Sequence, residues 1–251
     1  MTAALDTIRA EIDALDAELR DRLLRRAQLV AEVAAAKTAN GSAGAPLRPM
    51  REMQQMQALL AWQKAEAPSL SAAGLVAIWR EIIGMALAQQ GGVTICASDA
   101  AMASARTHFG ASLDYQTVSP ELDELAKNPR LIAVLTLDEA VAPPDGVAVF
   151  ARLPLIGQAQ ALCYGARDAE TGEGNDADGA VALVRRAAAQ AGDDIVFTGA
   201  DYVLVETRAP EGDAVWGRYL TLAPDAGLTK KELTKKGLTK KGLTKKQETG
   251  A

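Results

Sequence analysis

Histidine is nearly absent from this 251-residue chain, where His108 stands alone, and Cys96 and Cys163 are the two thiols. Two cysteines far apart, each in an apolar run, do not make a disulfide framework. They read as buried thiols of a reducing compartment. The opening stretch, MTAALDTIRAEIDALD, has early acids and no apolar centre, so it does not read as a signal peptide. No apolar run approaches the ~20 residues that a bilayer span needs. The expectation is a soluble, cytoplasmic protein with no membrane contact. Cationic charge is also short overall: 27 Lys and Arg stand against 32 Asp and Glu, a formal net charge of −5. A general basic surface is thereby excluded. Aromatics are 4 %, yet hydrophobic residues are 49 %. A core can form, largely from aliphatic side chains, and the abundant alanine favours helices. The length allows two small domains or one larger one.

The last 25 residues, 227–251, depart from this balance: GLTKKELTKKGLTKKGLTKKQETGA repeats every five residues and carries eight lysines and two glutamates. At ~100° per residue, successive leucines turn by ~140° and no apolar stripe forms. The segment reads as a disordered, solvated tail. No aromatics interleave with its lysines, which argues against nucleic acid as a partner.

Residues 5–39 contain neither proline nor glycine. Leu5, Ile8, Ile12, Leu15, Leu19, Leu23, Val30 and Val33 fall at helical spacing, which predicts one amphipathic helix about 50 Å long. NGSAGAP ends it. Pro49 suits the first turn of a second helix, to about Lys64, with Met53, Met56, Leu59 and Leu60 inward. Ser71 can cap a third helix that runs to Gln90, where Gly91 and Gly92 stop it. These three helices form a predicted first domain, 1–92. The first is too long for a 90-residue monomer to cover, so its stripe needs another chain. From Val93 the pattern changes to β-rich runs: GVTICAS, YQTVS, LIAVLTL, VAVFARLPL, ALCYGA and DDIVFTGADYVLVETRA. DAAMASARTHFG, ELDELAKN and AVALVRRAAAQAG between them read as helices. The expectation is a small α/β domain over 93–226. The acidic loop 168–179 lacks EF-hand spacing and reads as a surface turn.

The helix 1 stripe has a gap. Its continuation reaches positions 26 and 37, and these are Arg26 and Lys37. Both point the same way, ~16 Å apart. Each cation could snorkel or pair with an acid such as Asp16 or Glu32. Together, and with Arg48, Arg51 and Glu52 in APLRPMRE (45–52), they could instead form a pocket for a small, multiply charged anion. Arg9 lies 17 residues before Arg26, a rotation of ~260° and a rise of ~25 Å. It cannot face that pocket within one helix, but in an antiparallel dimer it could reach the partner's.

IRAEIDALDAELRDRLLRRAQLVAEVAAAK, PLRPMRE and IWREIIGMALAQQ together resemble the all-helical class of chorismate mutase, over residues 5–90. The resemblance implies an all-α, three-helix domain that forms an intertwined homodimer with shared sites. It implies that Arg26 and Arg9 of the partner subunit clamp the two carboxylates of chorismate. Lys37 and Gln90 would donate to the ether oxygen, Glu52 would hold the ring hydroxyl, and Arg51 would line the same wall. Arg48 stands where the family often has an acid; it either contacts the anion or faces solvent. Ala86 stands where the family often has a serine, so one hydroxyl contact is lost. The implied reaction, chorismate to prephenate in aromatic amino acid biosynthesis, is an intramolecular rearrangement that needs no metal and no cofactor.

The second half is faintly similar to the start of prephenate dehydratase, the domain that follows this mutase in a known fusion. The catalytic Thr-Arg-Phe motif is missing, and ETRAP at 206–210 is a partial echo. A degenerate dehydratase-like or effector-binding domain is expected. Two alternatives stand beside the mutase reading: a bifunctional mutase–dehydratase, and a non-enzymatic helical dimerisation module joined to a ligand-sensing domain.

Overall fold

The structure, a computed structural model, describes residues 2–39, 46–118, 121–167, 180–187, 189–190, 193–199, 202–208, 210 and 215–222. The LTKK segment and the acidic loop 168–179 lie outside the described residues. Three helices come first: α1 (Thr2–Ala39), α2 (Pro49–Glu66) and α3 (Ala72–Gln89). Pro49 occupies the first turn of α2, as its fixed φ allows. The Ser71 hydroxyl accepts from the Gly74 N–H and caps α3. At the other end of α3, the Gly92 N–H donates to the Leu87 carbonyl and the Gly91 N–H to that of Ala88. This paired closure requires a left-handed residue, and Gly91 has φ 94°.

The chain then alternates: β1 (Thr94–Ala97), α4 (Asp99–Phe109), β2 (Asp114–Thr117), α5 (Leu122–Lys127) and β3 (Leu131–Thr136). β1 pairs parallel with both β2 and β3. β4 (Val147–Leu153) and β5 (Ala161–Ala166) add antiparallel, giving the order β2-β1-β3-β5-β4. A second, antiparallel sheet has the order β7-β8-β6-β9, from β6 (Val181–Arg186), β7 (Asp194–Thr198), β8 (Val203–Thr207) and β9 (Val215–Tyr219).

AVALVRRAAAQAG, expected as a helix, is strand over Val181–Arg186. Its first four residues are all buried and it sits between β8 and β9. A strand covered on both faces shows no period-2 alternation, so its valines and leucine lost to the alanines that follow. The run 193–209, expected to be β-rich, contains the antiparallel pair β7 and β8, and the Gly199 N–H donates to the Tyr202 carbonyl. β9 had no strand expectation.

The first sheet is a middle layer, and its strands alternate accordingly. Ile132 and Val134 of β3 face one core with α2, α3 and α4, shared by Met56, Ile83, Leu87 and Phe109. Ala133 and Leu135 face the other, shared with α5 and the second sheet through Leu125, Leu183, Leu204 and Trp216. The first core therefore runs across the boundary near residue 92. By length and mean hydropathy, 1.3, α3 could cross a bilayer. Here its Val76, Ile83 and Leu87 line this shared core. α1 rests on α3 through its C-terminal half and leaves Leu5, Ile8, Ile12, Leu15 and Leu19 exposed.

The two sheets meet at β4 and β9, where Gly217 lies directly over Val149. A Cβ at 217 would stand 1.8 Å from the Val149 carbonyl oxygen, a main-chain atom that no rotamer change can move. A buried ion pair crosses nearby: Arg152 Nε lies 2.8 Å from Glu206 Oε1, which also accepts from the Tyr219 hydroxyl at 3.0 Å. Gly217→Ala should force the sheets apart and lower unfolding free energy by about 2–3 kcal/mol, the scale of overpacking. Urea denaturation of both proteins checks this; an unchanged midpoint would refute the close approach.

Candidate active site

A cavity of about 520 Å³ opens between α1, α3 and the N-terminus of α2. Six of the seven residues singled out in the sequence line it: Arg26, Lys37, Arg48, Arg51, Glu52 and Gln90. Arg9 does not. It is exposed on the far part of α1, where Nη1 lies 3.5 Å from Asp6 Oδ1. Four cations against one carboxylate leave a net +3 in the lining of a chain whose net charge is −5. The local field suits a multiply charged anion.

Each side chain is held by its element. Arg26 Nη1 donates to the Ile82 carbonyl of α3 at 3.3 Å. Partial burial pulls its proton affinity below the usual arginine range. Lys37, three turns further, donates to Gln90 Oε1 at 3.3 Å. Gln90 Nε2 donates in turn to the Ala86 carbonyl at 3.1 Å. The pair thus fixes the amide, with its oxygen on the lysine and its nitrogen on the helix end. Lys37 has its pKa lowered, first by partial burial and then by Arg48 and Arg130. Arg48 and Arg51 are exposed at the start of α2. Glu52 lies one turn into α2, and its Oε1 accepts from the Arg48 main-chain N–H at 3.5 Å. Its Oε2 accepts from Arg80 Nη1 at 2.8 Å.

Two residues escaped the sequence reading. Arg80 sits on α3 with its side chain 4 % exposed, and it orients Glu52. Its only sequence signal was a cation inside an apolar helix, IWREII. Arg130 immediately precedes β3 and donates to the carbonyls of Gly92 (2.9 Å) and Gln90 (3.4 Å). It caps the negative end of α3 and adds a cation near Lys37. Nothing in its local sequence ties it to a residue forty positions earlier.

Residues 8–91 match the family model described as chorismate mutase type II. The helical region is a chorismate mutase domain. No curated protein and no solved structure matches the chain. The match gives this domain an isomerase activity that takes chorismate to prephenate in aromatic biosynthesis, and it covers α1 from Ile8 to the glycine stop of α3. Beyond it lies the strand-rich α/β region, which the match does not reach.

The cavity around Lys37 makes a pH prediction. Lys37 must be protonated to act as a cation, and its folded pKa is lowered, so it loses its proton as pH rises through a value below the ordinary lysine range. The kcat/KM profile, which reports the free enzyme, should fall on the alkaline side below pH ~10.4. A substrate anion held beside Lys37 would restore its proton affinity, so the limb in kcat should then lie higher. Coincident limbs in kcat and kcat/KM would refute this.

Proposed function

We propose that the protein rearranges chorismate to prephenate in a cavity shared between two copies of the chain. The observation that carries this is the convergence of Arg26, Lys37, Arg51, Glu52 and Gln90 on one cavity of net positive charge. In the rearrangement the ether C–O bond breaks as a C–C bond forms within the same molecule, and no proton needs to move. What the protein supplies is a compact conformer and stabilisation of the negative charge that grows on the ether oxygen. Arg26 and Arg9 of the partner subunit hold the two carboxylates. Arg51 and Arg48 extend the anion-binding wall. Glu52, oriented by Arg80, accepts from the ring hydroxyl.

Lys37 Nζ and Gln90 Nε2 donate to the ether oxygen. In the unliganded chain that nitrogen bonds the Ala86 carbonyl, so Gln90 must turn it toward substrate while its oxygen stays on Lys37. Alanine at 86 offers no hydroxyl to substitute for that donor, which makes the turn of Gln90 more consequential.

The dimer follows from α1. Its exposed leucines and isoleucines form a stripe with no partner within the chain among the described residues, and burying each side chain stabilises by ~1.5–3 kcal/mol. An antiparallel copy would cover the stripe and carry Arg9 to the other chain's cavity. The free, buried thiols of Cys96 and Cys163 support a cytoplasmic setting.

Purified protein should consume chorismate and form prephenate, with Lys37→Ala lowering kcat by ~10²-fold or more, the scale of one lost preorganised donor. Absence of turnover would leave the non-enzymatic reading standing. Phenylpyruvate among the products would add a dehydratase step. Arg9→Ala and Arg26→Ala should each be nearly inactive, yet mixed dimers of the two should regain activity, because one cavity in each then has both arginines. Mixed dimers that stay inactive would place Arg9 outside the site.

A further inference from the structure

A second cavity, about 340 Å³, opens between α3, α4 and the segment that joins β4 to β5. Its walls are mostly apolar, from Val76 and Ala77 of α3, Ala103 of α4, and Leu155 and Ile156. Arg80 is the one charged side chain in its lining among the described residues. That guanidinium lines this cavity and reaches the other through Glu52. Nη1 holds Glu52 at the substrate cavity, and Nε donates to the His108 carbonyl at the end of α4. Nη2 is buried and has no hydrogen-bond partner among the described residues. Nearly every buried polar group in a folded protein is satisfied, so an orphan donor beside an open apolar cavity calls for an acceptor. His108 does not compete as a cation. Burial, then the charge of Arg80, holds its imidazole well below the usual pKa, and its ring packs edge-on against Phe109.

We propose that this cavity binds a small organic carboxylate with an apolar body, and that its occupancy is felt in the substrate cavity through Arg80. The proposal rests on the mutase reading, since its effect is exerted on Glu52. The apolar walls favour a hydrocarbon body, and the volume falls at the lower end of the ~300–1,000 Å³ typical of small-molecule sites. A carboxylate suits the orphan donor best, because charge-assisted hydrogen bonds are the strong ones. A guanidinium has five N–H donors in a planar fork and can serve two carboxylates. Sharing it loosens its hold on Glu52. The ring hydroxyl of the substrate is held by Glu52 in ground and transition states alike, so the loss falls on KM and spares kcat.

The test uses the full chain with 3-phenylpropionate as probe and 3-phenylpropan-1-ol as its uncharged counterpart. Calorimetry should show saturable binding of the acid, with the alcohol weaker by about tenfold or more. The KM for chorismate should rise about fivefold and then level off, with kcat within about twofold. Ala103→Phe and Ala77→Leu fill the cavity from two different helices, at exposed positions. Each should abolish binding and the KM effect while leaving basal kinetics and circular dichroism unchanged. The proposal is overturned by absent binding, by equal binding of the alcohol, or by a KM that climbs without a plateau. An effect that survives in both folded variants would place the probe in the substrate cavity and overturn it too. A wild-type protein that does not turn over chorismate sinks the mutase reading and the coupling with it, while the calorimetry decides the cavity on its own.

Discussion

A guanidinium with its side chain 4 % exposed is the constraint around which the two halves of this protein are arranged. Removing one member of a buried ion pair typically costs ~3–5 kcal/mol, because the other is left charged and dry. Arg80 therefore obliges α2 to present Glu52, and it obliges α4 to end where the His108 carbonyl can accept from it. The close approach of α3 and α4 reinforces this. A Cβ at Gly84 would stand 2.4 Å from the Phe109 carbonyl oxygen, so only glycine lets the helices come this near. The mutase helices and the α/β region are thus joined by a shared apolar core and by several polar ties, of which the Arg80 tie ends on a residue that lines the cationic cavity.

The cavity solves an electrostatic problem by geometry. Placing Arg26 and Lys37 on the apolar side of α1 would be costly if that side were packed throughout. It is packed only in part. The two side chains lean against α3 through the Ile82 carbonyl and Gln90, and otherwise face an open cavity. Partial burial first, and then repulsion from Arg48 and Arg130, lower the proton affinity of Lys37 there. A dianion relieves that repulsion, so part of the binding free energy is already stored as mutual repulsion in the unliganded protein.

Much of the helical domain was legible from the sequence because its signals are local. Spacing placed the helices within a few residues, and a gap in one apolar stripe marked Arg26 and Lys37. The α4 and α5 helices and most strands of the first sheet were legible for the same reason. What could not be read depends on contacts distant in sequence. Val181–Arg186 became a strand because β8 and β9 flank it, not because of its own periodicity. Arg130 reaches the end of α3 only because β3 lies beside β1. Arg80 looked like one more charge on a helix until its burial was seen. Arg9 was legible in the negative sense, since its rotation and rise along α1 place it outside its own chain's cavity.

The glycine stop of α3 has a mechanical consequence. Three residues separate Gln90 from Thr94, the first residue of β1, a span of at most ~14 Å. Two of them are glycines, but both are committed to closing the helix, and Arg130 grips the main chain there. The junction therefore behaves as a rigid coupling with no slack, and the two regions cannot swing as beads on a string. A displacement of the first sheet by an ångström arrives at the Gln90 main chain nearly undiminished. Any chain that gained or shed the α/β region during its history would have had to resettle the Gln90 amide at the edge of the cationic cavity.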